Sequence, residues 1–451
     1  MMLRYQMLVY VIIVGLSGMS QIGCRVPKPR SAVSNGQVVD RAQSQAPSTV
    51  NSQVPPDAPA DQPLLVIGDA DRDVSSTALN DPYQAYCTDY WSQHNIDSAQ
   101  VARPATGAAL RIGLILPKSG PLVGVASQLD RGAKAAAQSS ELTVDVIEVD
   151  FQNTAEIKTA LCGSYLDALV GPLDREGVIE LGKHTAGKMP VVHFSRKFSS
   201  LEKSARQLNV DGRLVDVMQT IEDRGQALVS AWRDHKTTAG IEAGAASLIY
   251  VQSTYGDSMA AVLRSALGSD LVFDRPVHAD LSNLDGVVAG LASGSSESIF
   301  IVSDVDLLRQ ILPRMVRAGV SPSSNGKAIK GRAIRLFATA DGLTTAGLRP
   351  TDIRYLDGAI LVPGYYPDTI GQSDILGPFS QALGHMPTLL EAVGFDALQL
   401  AIRLATSRQL EAGYVGLTAT YTVSNEQLRV QPAAYQVRSN RIERMIEKLE
   451  L

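Results

Sequence analysis

From Leu110 onward, apolar runs of three to seven residues alternate with longer segments in which apolar positions recur every three or four residues. The short runs lack a polar face. They read as strands buried on both sides: Arg111–Leu116, Val144–Val149, Ala168–Val170, Val191–Phe194, Ser247–Val251, Ile299–Val302, Ile334–Ala338 and Gly358–Val362. The longer segments read as helices. Ser258–Leu267 places Met259, Val262, Leu263 and Ala266 on one face. Asp304–Ala318 does the same with Leu308, Ile311, Leu312 and Met315, and Pro313 is expected to kink it. Thr388–Ala405 follows Pro387, and Arg224–Lys236 separates a first set of strands from a second. Doubly buried strands alternating with helices imply βαβ units and parallel sheets, and the two sets imply two lobes.

The ends of the chain depart from this pattern. Leu417–Val423 alternates, Ser424–Gln427 reads as a turn, and Ala433–Val437 returns, which predicts a late hairpin. Arg441–Leu451 reads as a short amphipathic helix. At the other end, Met7–Met19 is an apolar run behind Arg4, too short to span a bilayer and suited to a signal-peptide core. "QIGC" at Gln21–Cys24 resembles a lipoprotein box, with Gln21 where leucine is usual, so Cys24 is the expected lipidation site. Arg25 to about Thr77, rich in Pro, Ser, Gln and Ala, shows no sustained period and reads as a flexible tether. Asp81–Asn95 gathers three tyrosines and a tryptophan and reads as a short docking helix. With Cys24 acylated, Cys87 and Cys162 remain; they form a disulfide in an oxidising compartment or stay as two separate thiols.

The charge balance, 41 basic against 46 acidic residues, disfavours a nucleic-acid partner. Six scattered histidines show no HExxH and no metal-ligand spacing, and there is no GxSxG elbow, so no catalytic residue, metal or cofactor is expected. "GVIELGKHT" at Gly177–Thr185 nearly spells a phosphate loop. Histidine stands at its Ser/Thr position, and the segment reads as helix rather than a strand-to-helix turn. His193, on an apparent strand, reads as a core residue. Ligands of open parallel sheets bind beyond the carboxyl ends of the strands. The residues there are Lys118–Pro121, Gly171–Glu176, "SRKFSS" at Ser195–Ser200, "QSTYGDS" after Val251, "SDVD" after Val302 and "TADGLT" after Ala338. Such groups either hold a small polar ligand or cap the helices that follow.

In order, "IGLILPKSGPLVGVASQLDRGAKAA", "DALVGPLDREGVIELGKHTAGKMPVVHFS", "SLIYVQSTYGDSMAAVLRSAL", "SIFIVSDVDLLRQILPRMVRAGV", "IRLFATADGL", "YLDGAILVPGYYPD" and "EAVGFDALQLAIRL" resemble the type I periplasmic binding proteins of the leucine/isoleucine/valine-binding group. The specificity lies in their collinearity, from about Leu110 to Ile442. The resemblance implies an α/β fold of two Rossmann-like lobes with parallel sheets joined by a hinge. Lobe one is then 108–222 plus 363–416 and lobe two 223–362 plus 417–451, after a signal peptide (1–23), a tether (24–80) and a docking segment (81–107). It also implies a small polar, amino-acid-like ligand gripped by Ser119, Gly120, Ser195, Tyr255, Asp304 and Asp341, and delivery to an ABC permease. Asp174, Arg175 and Glu176 after "GP", and Arg196 and Lys197 after Ser195, depart from that pattern. They lean toward the lipoprotein activators of penicillin-binding proteins, which are similar in fold and contact a cell-wall synthase. Both alternatives imply a lipid-anchored protein of the cell envelope, with Arg25 after Cys24 pointing to the outer membrane.

Overall fold

The computed structural model describes residues 82–97, 101, 109–163, 165–185, 189–195, 214–239, 244–323, 329–343, 354–367, 373–406, 413–424, 427–438 and 441–445. The expected signal peptide, Cys24 and the tether lie outside the described residues, as do Arg196 and Lys197.

The first sheet is parallel throughout and runs in the order β2 (Val144–Asp150), β1 (Leu110–Leu116), β3 (Ala168–Val170), β4 (Val191–His193), β5 (Leu214–Asp216). β1 lies inside the sheet and is buried along nearly its whole length, which is why its sequence shows no alternation. On one face pack α3 (Thr154–Gly163) and α4 (Arg175–Thr185), whose Leu161, Val178 and Leu181 meet Ile115, Leu169 and Val191. The other face carries α2 (Val123–Gln138) and α10 (Leu389–Ala405), which cross almost in contact. A Cβ at Gly132 would lie 1.9 Å from the Glu391 carbonyl, and one at Gly394 would lie 2.2 Å from the Leu129 carbonyl. Backbone therefore meets backbone, and no side chain fits between. Gly132→Ala is expected to force the helices apart and destabilise the fold by about 2–3 kcal/mol. Urea unfolding would read this as a lower midpoint at unchanged slope; an unchanged midpoint would contradict the close approach.

α1 (Pro82–His94) docks against α3 and α4. A disulfide joins Cys87 to Cys162, with Cα atoms 5.3 Å apart. The Trp91 indole N–H donates to the Cys162 carbonyl at 2.7 Å, and Tyr86 stacks on His184 at 3.6 Å between centroids. Gly177–Thr185 lies inside α4, so the near-motif cannot wrap a phosphate.

The second sheet has the order β16 (Arg441–Met445), β15 (Ala434–Arg438), β11 (Ile360–Leu361), β10 (Arg332–Ala338), β8 (Ser298–Val302), β6 (Ala246–Val251), β7 (Leu271–Val277), with β9 (Val320–Pro322) beside β10. β7, β6, β8, β10 and β11 are parallel, and β15 and β16 close one edge antiparallel. The alternation of β8 divides the core. Ile299 and Ile301 face α7 (Leu284–Ser293) and α8 (Val305–Arg317), while Phe300 and Val302 face α5 (Ile221–Ala239) and α6 (Thr254–Leu267). α8 runs on through Pro313 as one helix.

Two expectations at the C-terminal end need correction. β13 (Ala419–Ser424) turns back onto β14 (Gln427–Pro432), and with β12 (Tyr414–Val415) they form a small sheet. Ala433–Val437, expected as the returning strand of that hairpin, instead supplies most of β15, which pairs with β11 through Tyr435 and Gln436. Arg441–Met445, expected as the start of a helix, is strand β16. A short isolated helix is marginal, whereas the exposed edge of β15 offers five register partners.

Candidate functional site

The carboxyl ends of both sheets carry the polar loops. In lobe one, the Ser119 hydroxyl donates to Gln152 Oε1 at 2.5 Å, and the Gln152 amide returns a bond of 3.4 Å to the Ser119 carbonyl. Asp150 Oδ1 accepts from the backbone N–H of Lys118 and of Gln152, each at 3.1 Å. The loops after β1 and β2 are thus tied to each other. Gly120 sits in this turn at φ +78°, which only glycine adopts freely. Ser119 is not a helix cap: the N-cap of α2 is Leu122, which makes no side-chain cap bond. After β3, Asp174 Oδ1 accepts from the Gly177 N–H at 2.8 Å and caps α4. Burial pushes its carboxyl above the usual range. Ser195 follows β4 and is buried.

In lobe two, three of the expected residues come together. Ser253 caps α6, accepting from the Gly256 N–H at 3.0 Å, and this fixes Tyr255 in the first helical turn. A Cβ on Gly256 would lie 1.9 Å from the Val251 carbonyl, so glycine here lets the helix start directly against the strand end. Asp304 Oδ1 accepts from the Leu307 N–H at 2.8 Å and caps α8. Asp304 and Asp341 form a parallel bridge, supported by bonds from Val305 N–H to the Asp341 carbonyl at 2.9 Å and from Asp341 N–H to the Ser303 carbonyl at 3.1 Å.

At the centre of this group stands Arg224. It is 4% exposed. Its Nη2 donates to Asp341 Oδ1 at 2.5 Å and to the Val362 carbonyl at 2.6 Å, and its guanidinium lies 5.7 Å from the Tyr255 ring centroid. The Tyr255 hydroxyl lies near the Asp341 carboxylate and favours its ionised form. Burial pushes the Asp341 carboxyl up, against the opposing pull of Arg224 and Tyr255. Sequence reasoning missed Arg224, although a signal exists. An arginine in a first helical turn opposes the helix dipole, so a buried one needs an anion nearby. Here that anion is Asp341.

His193, at the end of β4, is fully buried, and burial pulls its ring down to about 3, so it is neutral at physiological pH. Among the described residues no group of three His, Cys, Asp or Glu side chains could hold a metal, and no helix is long and apolar enough to cross a membrane.

Two hinged α/β lobes with parallel sheets and polar strand tips define the type I periplasmic-binding-protein fold. No protein-family model and no curated protein matches the chain. Solved structures do. A protein from Rhodospirillum rubrum assigned to branched-chain amino acid ABC transport aligns at TM-score 0.53 and 15% identity, over 75% of this chain and 100% of that one. The C-domain of Haemophilus influenzae LpoA, a regulator of PBP1A, aligns at 0.50 and 16%, over 74% and 100%. Full-length LpoA from the same organism aligns at 0.50 and 16%, over 81% of this chain and 66% of that one. At such identities these likenesses establish the fold.

Proposed function

We propose that this chain is a non-catalytic binding protein of the cell envelope that acts as a protein-interaction module on a peptidoglycan synthase of the penicillin-binding-protein class. The supporting observation is the closed state of the strand-tip groups. Asp341 is held by Arg224, Asp304 caps α8, Asp174 caps α4, and Ser119 is bound to Gln152. For the ammonium of an amino acid to reach Asp341, it would have to displace a buried guanidinium that also holds the Val362 carbonyl. Removing one partner of such a pair is costly. The same fold in LpoA, a regulator of PBP1A, makes this use of it structurally reasonable. A lipid on Cys24 and the tether 24–80 would let the domain reach its partner from the membrane, the outer one being favoured.

A second reading is also supported: a receptor that closes over a small polar ligand, of amino-acid type, for an ABC permease. The convergence of Tyr255, Asp304 and Asp341 at one carboxyl edge favours it, because that is where parallel sheets bind ligands. Thermal melting separates the two. A ligand at a hundred times its Kd stabilises by about 2.7 kcal/mol, roughly 5 °C for a domain of this size. We expect no amino acid in a panel to move the melting temperature by more than about 1 °C, and we expect an immobilised bifunctional synthase to capture the protein. A shift near 5 °C that Tyr255→Ala and Asp341→Ala abolish would establish the receptor instead.

A further inference from the structure

The chain passes between the two sheets three times. The first crossing, residues 217–220, leads from β5 to α5. The second leaves β11 through residues 362–367 toward α9 (Ser373–Leu383), which packs on α2. The third returns from α10 through β12–β14 to β15. One side chain touches all three. Gln219 lies on the first crossing, and its amide nitrogen donates to the Gly364 carbonyl of the second at 3.0 Å and to the Thr418 carbonyl of the third at 2.7 Å. A primary amide has two N–H donors, and both are engaged here. Two carbonyl acceptors also fix which end of the amide faces them.

The groups around Gln219 are themselves held. On the lobe-one side, buried Asp396 of α10 accepts from the Leu417 N–H at 2.7 Å, the Thr418 N–H at 2.8 Å and the Thr418 hydroxyl at 2.7 Å. The Thr418 carbonyl takes a further bond from the Ala433 N–H at 3.1 Å, next to β15. On the lobe-two side, Thr220 and Asp223 bond reciprocally, at 2.9 Å from the Asp223 N–H to the Thr220 hydroxyl and 2.8 Å from the Thr220 N–H to the Asp223 carboxylate. This fixes where α5 begins. Arg224, one turn on, holds Val362 at the start of the second crossing and Asp341 at the strand tips.

We propose that Gln219 is a hinge lock whose amide holds the three crossings in register and so sets the angle between the lobes. Hinge rotation is absorbed by backbone torsions in the connecting segments, which would shift the Gly364 and Thr418 carbonyls relative to each other. One short amide can bridge them at a single separation. This inference rests on the interaction-module reading, because a receptor that closes over a ligand must rotate its lobes; synthase capture tests that reading separately.

The test uses the full chain with a dye pair attached through unnatural amino acids at Glu141 of lobe one and Ser295 of lobe two, both exposed. Single-molecule energy transfer reports the interlobe distance. The wild type should give one narrow distribution. Gln219→Ala should at least double its width or split it into two populations, with circular dichroism unchanged. Should Gln219→Ala fail to fold, Gln219→Asn decides: it keeps the amide but is one methylene too short to reach both carbonyls. A broad wild-type distribution, or folded variants that keep the wild-type width, would overturn the proposal.

Discussion

Replacing Asp396 with alanine should cost on the order of 3–5 kcal/mol of folding stability, a large share of what a domain of this kind has. The carboxylate is fully buried in α10 and receives two backbone N–H groups and the Thr418 hydroxyl. Without it, three buried donors lose their acceptor, each at about 1–3 kcal/mol before relaxation. Little relaxation is available. Gly416 lies so close that a Cβ there would stand 2.7 Å from the Asp396 carboxylate, and Arg444 pins the Gly416 carbonyl at 2.6 Å. Burial pushes Asp396 up as an acid while its hydrogen bonds pull it down. The same burial raises the neighbouring Tyr414 and Tyr421 hydroxyls far above their ordinary value. Asp396→Asn keeps one acceptor oxygen and should lose roughly half as much. Equilibrium urea unfolding measures both variants. A loss below about 1 kcal/mol for alanine would show that the small sheet docks without this carboxylate.

The sheets were legible because their strands are buried on both faces. The apolar runs at β1, β6 and β8 suit only the interior of a sheet covered on both faces, and the helices between them carry one apolar face each. β7 was not legible. "LVFDRPV" places Asp274, Arg275 and Pro276 within the run, which only an edge strand tolerates. β16 was misread because its five residues obey a pairing partner rather than their own periodicity. At the site, strand ends pointed to the loops that hold Tyr255, Asp304 and Asp341, and the family resemblance singled out those three residues within them. Arg224 and Gln219 escaped because they act from a connecting segment and a helix start. Their partners are carbonyls and a carboxylate more than a hundred residues away in sequence, and no local pattern records such a pairing.

Acid should weaken this protein steeply, with His193 as the main identifiable cause. The ring ends β4, its residue paired in register with Asp216, and it is fully buried. Burial disfavours the imidazolium and lowers the pKa from 6.5 to about 3, the backbone at Ser195 opposing this only in part. A folded-state pKa below the unfolded value means that the unfolded chain binds a proton which the folded chain refuses. The stability from a neutral His193 is therefore complete above pH 6.5, falls as pH drops below it, and is gone by about pH 3. Between those limits the slope is about 1.4 kcal/mol per pH unit, and the total is about 5 kcal/mol. Carboxylates titrate over the lower part of the same range, so the wild-type curve alone cannot assign the effect. His193→Gln removes the titrating group while keeping a polar side chain of similar bulk. Urea unfolding of both proteins at pH 7, 6, 5 and 4.5 isolates it. The wild type should lose about 2.5 kcal/mol more than the variant between pH 7 and 4.5. Parallel curves would mean that the ring reaches solvent or takes up its proton without unfolding.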